Sequence, residues 1–263
     1  MSILDEILAH KAEEVRQRQE RHPVEAFPPR PGEVRDFRGA LGKPGLQVIA
    51  EVKRRSPSIG NIRMELEPSH LARSYAQAGA AAISVLTDEK YFGGSLEHLM
   101  EVRTAVDLPV LQKDFIISEY QVYESYQAGA DAILLIADAL PQERLEALYW
   151  LARSLGLHVL VEGYSESALT RLRQLMPRLA GINSRNLATM KIDLEFMLWS
   201  RHLLPTAAIH VAESGIANSA DLAKVEQAGY DAALIGTALL RESDPGATLR
   251  RFLASLNPEE SSG

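Results

Sequence analysis

The chain holds eight short β-rich runs, at 47–53, 82–87, 109–115, 132–136, 158–162, 180–183, 209–213 and 232–236, each followed by room for one helix. Strict alternation of strand and helix along a whole chain restricts the fold to an α/β class with a parallel sheet. A three-fold echo sharpens this. The segments Gln77-Ala78-Gly79-Ala80-Ala81-Ala82-Ile83, Gln127-Ala128-Gly129-Ala130-Asp131-Ala132-Ile133 and Gln227-Ala228-Gly229-Tyr230-Asp231-Ala232-Ala233 are one helix-to-strand junction used three times. Their glycines stand 50 and then 100 residues apart, which fits whole βα units of ~25 residues. Pro68 and Ser118 mark helix starts, and Gly79, Gly129 and Gly229 mark helix ends. Eight strands in one continuous pattern, with no GxGxxG turn for an open dinucleotide-binding sheet, predict a closed (β/α)8 TIM barrel.

Residues 1–46 precede the first strand and predict an N-terminal helical extension. Ile3, Leu4, Ile7, Leu8 and Val15 form an apolar stripe on a helix near 3–18, and a Pro-rich stretch follows through Pro31, as expected of a lid or plug. The barrel is expected over 47–256 and a disordered tail over 257–263. Composition narrows the chemistry. With 46% hydrophobic and 24% charged residues the chain can bury a large core. No apolar run approaches the ~20 residues of a membrane span, and the acidic start Asp5-Glu6 is unlike a signal peptide, so a cytoplasmic protein with no membrane partner is expected. The absence of cysteine removes disulfides, thiolate nucleophiles and zinc-thiolate sites. A net charge of -7 argues against a nucleic-acid partner, while Lys53-Arg54-Arg55 could hold a small anion.

In such barrels the chemistry sits at the C-terminal ends of the strands, where alternate side chains face the interior. By this parity Glu51 and Lys53 point inward from the first strand, opposite Val48, Ala50 and Val52. Lys113 shares the inward row with Leu111 and Phe115, Glu162 ends an otherwise apolar strand, Asn183 and Arg185 share a face, and Glu213 is a third inward acid. Any one of these could be a solvated strand end or a structural ion pair. Two lysines, three glutamates and an asparagine at one end of an apolar barrel are costly unless they compensate one another around a ligand. The Gly-containing turns Glu213-Ser214-Gly215 and Ile235-Gly236-Thr237 fall where barrels of this kind bind phosphate.

These residues resemble the indole-3-glycerol-phosphate synthase family. The resemblance runs from Ile49 to Leu249 and rests on Ile49-Ala50-Glu51-Val52-Lys53-Arg54-Arg55-Ser56-Pro57-Ser58, Ile83-Ser84-Val85-Leu86-Thr87-Asp88, Tyr91-Phe92-Gly93-Gly94-Ser95, Lys113-Asp114-Phe115-Ile116-Ile117, Gly181-Ile182-Asn183-Ser184-Arg185-Asn186-Leu187 and Glu213-Ser214-Gly215-Ile216. It implies ring closure of 1-(2-carboxyphenylamino)-1-deoxyribulose 5-phosphate to indole-3-glycerol phosphate, with loss of carbon dioxide and water, in tryptophan biosynthesis, without cofactor or metal. By the same resemblance Lys113 is the general acid, Glu162 serves dehydration with Lys53 and Glu51 assisting, and Asn183 and Glu213 orient the intermediate. Ser214, Gly215, Gly236 and Thr237 would bind the phosphate with Lys53. Ser56 and Arg185 would meet other polar groups of the substrate, and Phe92, Phe115, Leu134 and Leu187 would clamp the anthranilate ring. Two departures flank catalytic positions: Gly163-Tyr164 follows Glu162 where many relatives carry Val-His, and Gln112 precedes Lys113 where Arg is common. Two alternatives stay open, a Schiff-base aldolase using Lys53 or Lys113 and a barrel that binds without reacting. A monomer is expected, with a pathway enzyme as a conceivable partner.

Overall fold

A computed structural model describes residues 2–57, 60–63 and 65–256, so the expected tail at 257–263 lies outside the described residues. Eight parallel strands close into a barrel: β1 (Gln47–Val52), β2 (Ala82–Leu86), β3 (Val110–Lys113), β4 (Ala132–Ile136), β5 (His158–Gly163), β6 (Leu179–Asn183), β7 (Ile209–Glu213) and β8 (Ala232–Ile235). Each pairs with the next, and β8 closes on β1 from Gln47↔Ala232 to Ala50↔Ile235. The expected bounds shift only at the ends. β1 stops before Lys53, and β3 is confined to four residues because Pro109 offers no N–H and Asp114 turns its side chain to the Phe115 N–H at 2.7 Å.

Helices α1 (Ile3–Arg21) and α2 (Phe37–Leu41) precede the barrel. The helices that follow are α3 (Pro68–Gln77), α4 (Glu89–Phe92), α5 (Leu96–Ala105), α6 (Glu119–Gln127), α7 (Gln142–Ser154), α8 (Glu166–Leu175), α9 (Leu194–Ser200), α10 (Ser219–Gln227), α11 (Thr237–Leu240) and α12 (Pro245–Ala254), of which the short α4 and α11 sit at the strand ends and the others form the outer layer. The starts are chemical. Pro68 occupies the first turn of α3, where its missing N–H costs nothing, and Ser118 forms a capping box with Gln121 on α6. The repeated glycines adopt φ of +100°, +91° and +82° at Gly79, Gly129 and Gly229, a left-handed turn that reverses the chain into the next strand. The echoed aspartates share one task. Asp131 accepts from the Val110 N–H at 2.9 Å and Asp231 from the His210 N–H at 2.7 Å, tying the foot of each strand to that of its neighbour.

Parity sorts the core into two layers. Ile49, Leu111, Leu134, Leu160, Val211 and Leu234 pack inside the barrel, whereas Val48, Ala50, Val52, Ile133 and Val161 pack against the helices. The extension closes both ends of this cylinder. Leu4, Ile7 and Val15 of α1 are buried, and Leu4 and Ile7 join the interior cluster that contains Phe115. From α1 the chain runs down the outside to the foot of the barrel. There Arg30 donates to the carbonyls of Tyr126 and Ala130, both at 2.7 Å, and to Asp131 at 3.1 Å. Phe37 and Leu41, both fully buried, then plug the bottom.

Candidate functional site

The strand ends opposite this plug enclose a cavity of about 370 Å³. Every residue expected at the site lines it except Glu213, which is fully buried beneath the others. Glu51 sits at the centre, 2.5 Å from Lys53 Nζ and 3.4 Å from Lys113 Nζ. On the far side of Lys113, Glu213 Oε2 lies 3.8 Å away. Asn183 donates from Nδ2 to Glu162 Oε1 at 3.2 Å, and its own Oδ1 accepts from the Arg185 N–H at 2.9 Å. Among the described residues, Ser56 Oγ, Glu162 Oε2 and both oxygens of Glu213 are buried without a hydrogen-bond partner. Of these, Ser56 and Glu162 line the cavity, where unpaired buried oxygens are costly and mark a place built for a polar guest.

The cluster sets its own charges. Burial alone would raise the Glu51 carboxyl, but Lys53 and Lys113 overcome it and bring the group down to about 2. Burial likewise works against the Lys113 ammonium, yet Glu51, Glu213 and Glu162 outweigh it and hold the lysine above its ordinary value. Glu213 moves upward, first because it is buried and then because Glu162 is beside it. A protonated lysine therefore faces the cavity with an ionised glutamate behind it.

Two glycines on the inward row make this possible. A Cβ on Gly236 would overlap Glu51 Oε1, and one on Gly181 would overlap Glu213 Oε1. The turn that includes Gly236 thus also makes room for the acid that charges the lysines. After β7 the backbone takes positive φ twice in succession, +65° at Ser214 and +74° at Gly215. A non-glycine residue in that region is uncommon, and here it turns the loop over the cavity.

The opposite wall is apolar. Phe92 and Phe115, with ring centroids 6.1 Å apart, join Leu86, Leu134, Ile136 and Leu187. Gln112, Gly163 and Tyr164, where the chain departs from the resemblance, are not among the residues that line the cavity. Gln112 donates to Thr87 Oγ1 at 3.0 Å, Gly163 fits closely under Ala168 and Leu172 of α8, and the Tyr164 N–H donates to Asp138 at 2.8 Å.

Sequence reasoning missed two residues. Arg241 lines the cavity one helical turn beyond Thr237, and that i+4 spacing was the available signal. Lys11 occupies the apolar stripe of α1 between Ile7 and Val15, yet it is fully buried and lies 2.9 Å from Asp88 and 3.0 Å from Asp114. A lysine at a core spacing was its signal.

Comparison with known proteins points to one family. The family model described as indole-3-glycerol phosphate synthase matches residues 4–252. A protein of that name from Laribacter hongkongensis is 43% identical over 265 residues, covering 96% of this chain and 99% of the relative. Another from Parafrankia is 44% identical over 259 residues, covering 97% and 95%. Among solved structures, thiamine phosphate pyrophosphorylase from Pyrococcus furiosus superposes with a TM-score of 0.62 at 18% identity over 87% of this chain and 100% of that one. A 3-hexulose-6-phosphate synthase gives 0.61 at 19% over 81% and 99%. Those two likenesses speak for the barrel alone, whereas the full-length matches carry the assignment: the chain belongs to the indole-3-glycerol phosphate synthase family.

Proposed function

We propose that this cavity closes the indole ring of indole-3-glycerol phosphate as a carboxy-lyase, with Lys113 as the general acid. The observation that carries this is the Lys113 ammonium, kept charged by Glu51 and Glu213 at the floor of a cavity with one aromatic wall and one wall of Ser, Gly and Thr turns. In the substrate the ring carbon that bears the carboxylate attacks the ketone carbon, and the ketone oxygen takes a proton from Lys113 as the bond forms. Carbon dioxide then leaves, restoring a neutral ring system that still carries the new hydroxyl. Glu162, oriented by Asn183, assists departure of that hydroxyl as water while the adjacent ring CH2 gives up a proton to form the ring double bond, with Lys53 and Glu51 supporting the proton transfers.

Ser214, Gly215, Gly236, Thr237 and Lys53 hold the phosphate end, while Ser56 and Arg185 meet the polar groups between the two ends. Phe92, Phe115, Leu134 and Leu187 hold the aryl group. Anchoring both ends brings the flexible sugar chain into reach of its own ring, so binding energy lowers the entropic part of the barrier. A lysine held protonated by its carboxylates is not the neutral amine that Schiff-base chemistry needs. We place the enzyme in the cytoplasm as a monomer, apart from nucleic acid and membrane.

The test is the rise of indole fluorescence when the purified protein meets carboxyphenylamino-deoxyribulose 5-phosphate. Lys113→Ala and Glu162→Ala should each slow turnover by ~10²–10⁴-fold, the usual weight of a positioned acid or base. A folded wild-type protein with no turnover would refute the assignment of this reaction, and full activity in Lys113→Ala would refute the role given to that lysine.

A further inference from the structure

Among the described residues the ion pairs of the buried lysine of α1 reach one cavity-lining residue, Asp114, yet they join two segments that line the cavity. Lys11 Nζ lies 2.9 Å from Asp88 Oδ2 and 3.0 Å from Asp114 Oδ1, and Glu14 Oε1 accepts from it at 3.3 Å. Asp88 follows the end of β2 and Asp114 follows the end of β3, so the lysine bridges two adjacent strand ends. Each carboxylate leads directly to an aromatic ring. Asp88 caps α4, accepting from the Tyr91 N–H at 2.8 Å, and α4 ends on Phe92. Asp114 accepts from the Phe115 N–H at 2.7 Å and from Thr87 Oγ1 at 2.6 Å, which fixes the peptide that carries Phe115.

A lysine in an apolar stripe is not an economical way to hold a helix down, since a well-packed apolar side chain does so without desolvating an ammonium and its carboxylates. What the ion group adds is geometry. One ammonium held by two carboxylates fixes their separation, and with it the 6.1 Å spacing of Phe92 and Phe115. A second tie from the same helix, Tyr91 O–H to Glu6 Oε1 at 3.1 Å, holds α4 in the same place. We propose that Lys11 is a positioning residue that sets the spacing of the Phe92 and Phe115 rings and thereby the affinity for the aromatic end of the ligand. The inference rests on the assignment of those rings to the aryl group made above. The phosphate end belongs to the loops after β7 and β8, which Lys11 does not touch.

Calorimetry with two probes separates the ends: indole-3-glycerol phosphate, which carries the ring, and glycerol 3-phosphate, which does not. Lys11→Met should weaken indole-3-glycerol phosphate at least tenfold and leave glycerol 3-phosphate within about twofold, and Lys11→Arg should recover most of the loss. Asp88→Asn keeps a capping side chain on α4 while weakening the tie to Lys11, and it should reproduce the ring-specific loss. If Lys11→Met does not fold, Asp88→Asn decides by the same criterion. Unchanged affinity for both probes, or equal weakening of both, overturns the inference, the latter because it marks general loosening. Binding needs no turnover, so wild-type protein that fails to convert substrate refutes the proposed reaction and leaves the comparison of probes intact.

Discussion

Gly236→Ala separates two reasons for a glycine at the head of β8. The added methyl would overlap Glu51 Oε1 and stand 2.8 Å from its carboxyl carbon and 3.0 Å from its Cβ, so the carboxylate must swing away. Glu51 is the partner of Lys113 at 3.4 Å. Lengthening that pair by about 2 Å, at an effective dielectric near 20, weakens it by ~2 kcal/mol. If that stabilisation is lost from the transition state, the rate falls by a factor of about 20. The assay is indole fluorescence for kcat beside calorimetry with glycerol 3-phosphate. The expected result is kcat reduced about 20-fold, with affinity for the phosphate ligand kept within about threefold. Intact kcat together with a tenfold loss of glycerol 3-phosphate affinity would show that Gly236 serves only the approach of backbone to phosphate, and the coupling to Glu51 would be wrong.

Two further outcomes test the charge networks. Asp131→Ala removes the carboxylate that pairs with the Arg30 and Arg103 guanidiniums, 3.1 and 3.5 Å away, and with it the acceptor of the Val110 N–H. It should cost ~3–5 kcal/mol and lower Tm by roughly 10 °C in circular dichroism, with kcat unchanged because the residue lies at the foot of the barrel. Glu51, held at about 2 in the folded chain, binds a proton later in acid than it does unfolded, so its contribution is present above the ordinary carboxylate range and is lost as pH falls through about 2. Urea titrations should accordingly show a stability slope between about pH 4.5 and 2 that Glu51→Gln flattens, and an unaltered slope would contradict the pairing with Lys53 and Lys113.

The barrel was legible because period-two alternation is a local property: Glu51, Lys53, Lys113, Glu162, Asn183 and Glu213 could be aimed inward by counting from Ile49, Leu111, Leu160, Gly181 and Val211. What stayed hidden depends on neighbours far along the chain. The need for glycine at 236 is set by Glu51 on the adjacent strand, and that at 181 by Glu213. Lys11 stands at a core spacing of α1, but the Asp88 and Asp114 that pair with it come from far along the chain. The plug of Phe37 and Leu41 sits on a helix of five residues, too short for a period to register. Glu213 was aimed correctly but lies beneath the cavity wall, because alternation gives direction and not depth.

The Arg30–Asp131 bond joins residues 101 positions apart, and Lys11 waits for Asp88 and Asp114, which follow two later strands. The extension is made before the strands that hold it, and is therefore among the last segments to find its place. At ~5–20 residues per second of synthesis, Arg30 is exposed for roughly 5–20 s before its partner exists. During that interval the apolar stripe of α1 has no barrel to cover, so a chaperone that shields nascent apolar helices should matter more for this chain than for a barrel without the extension.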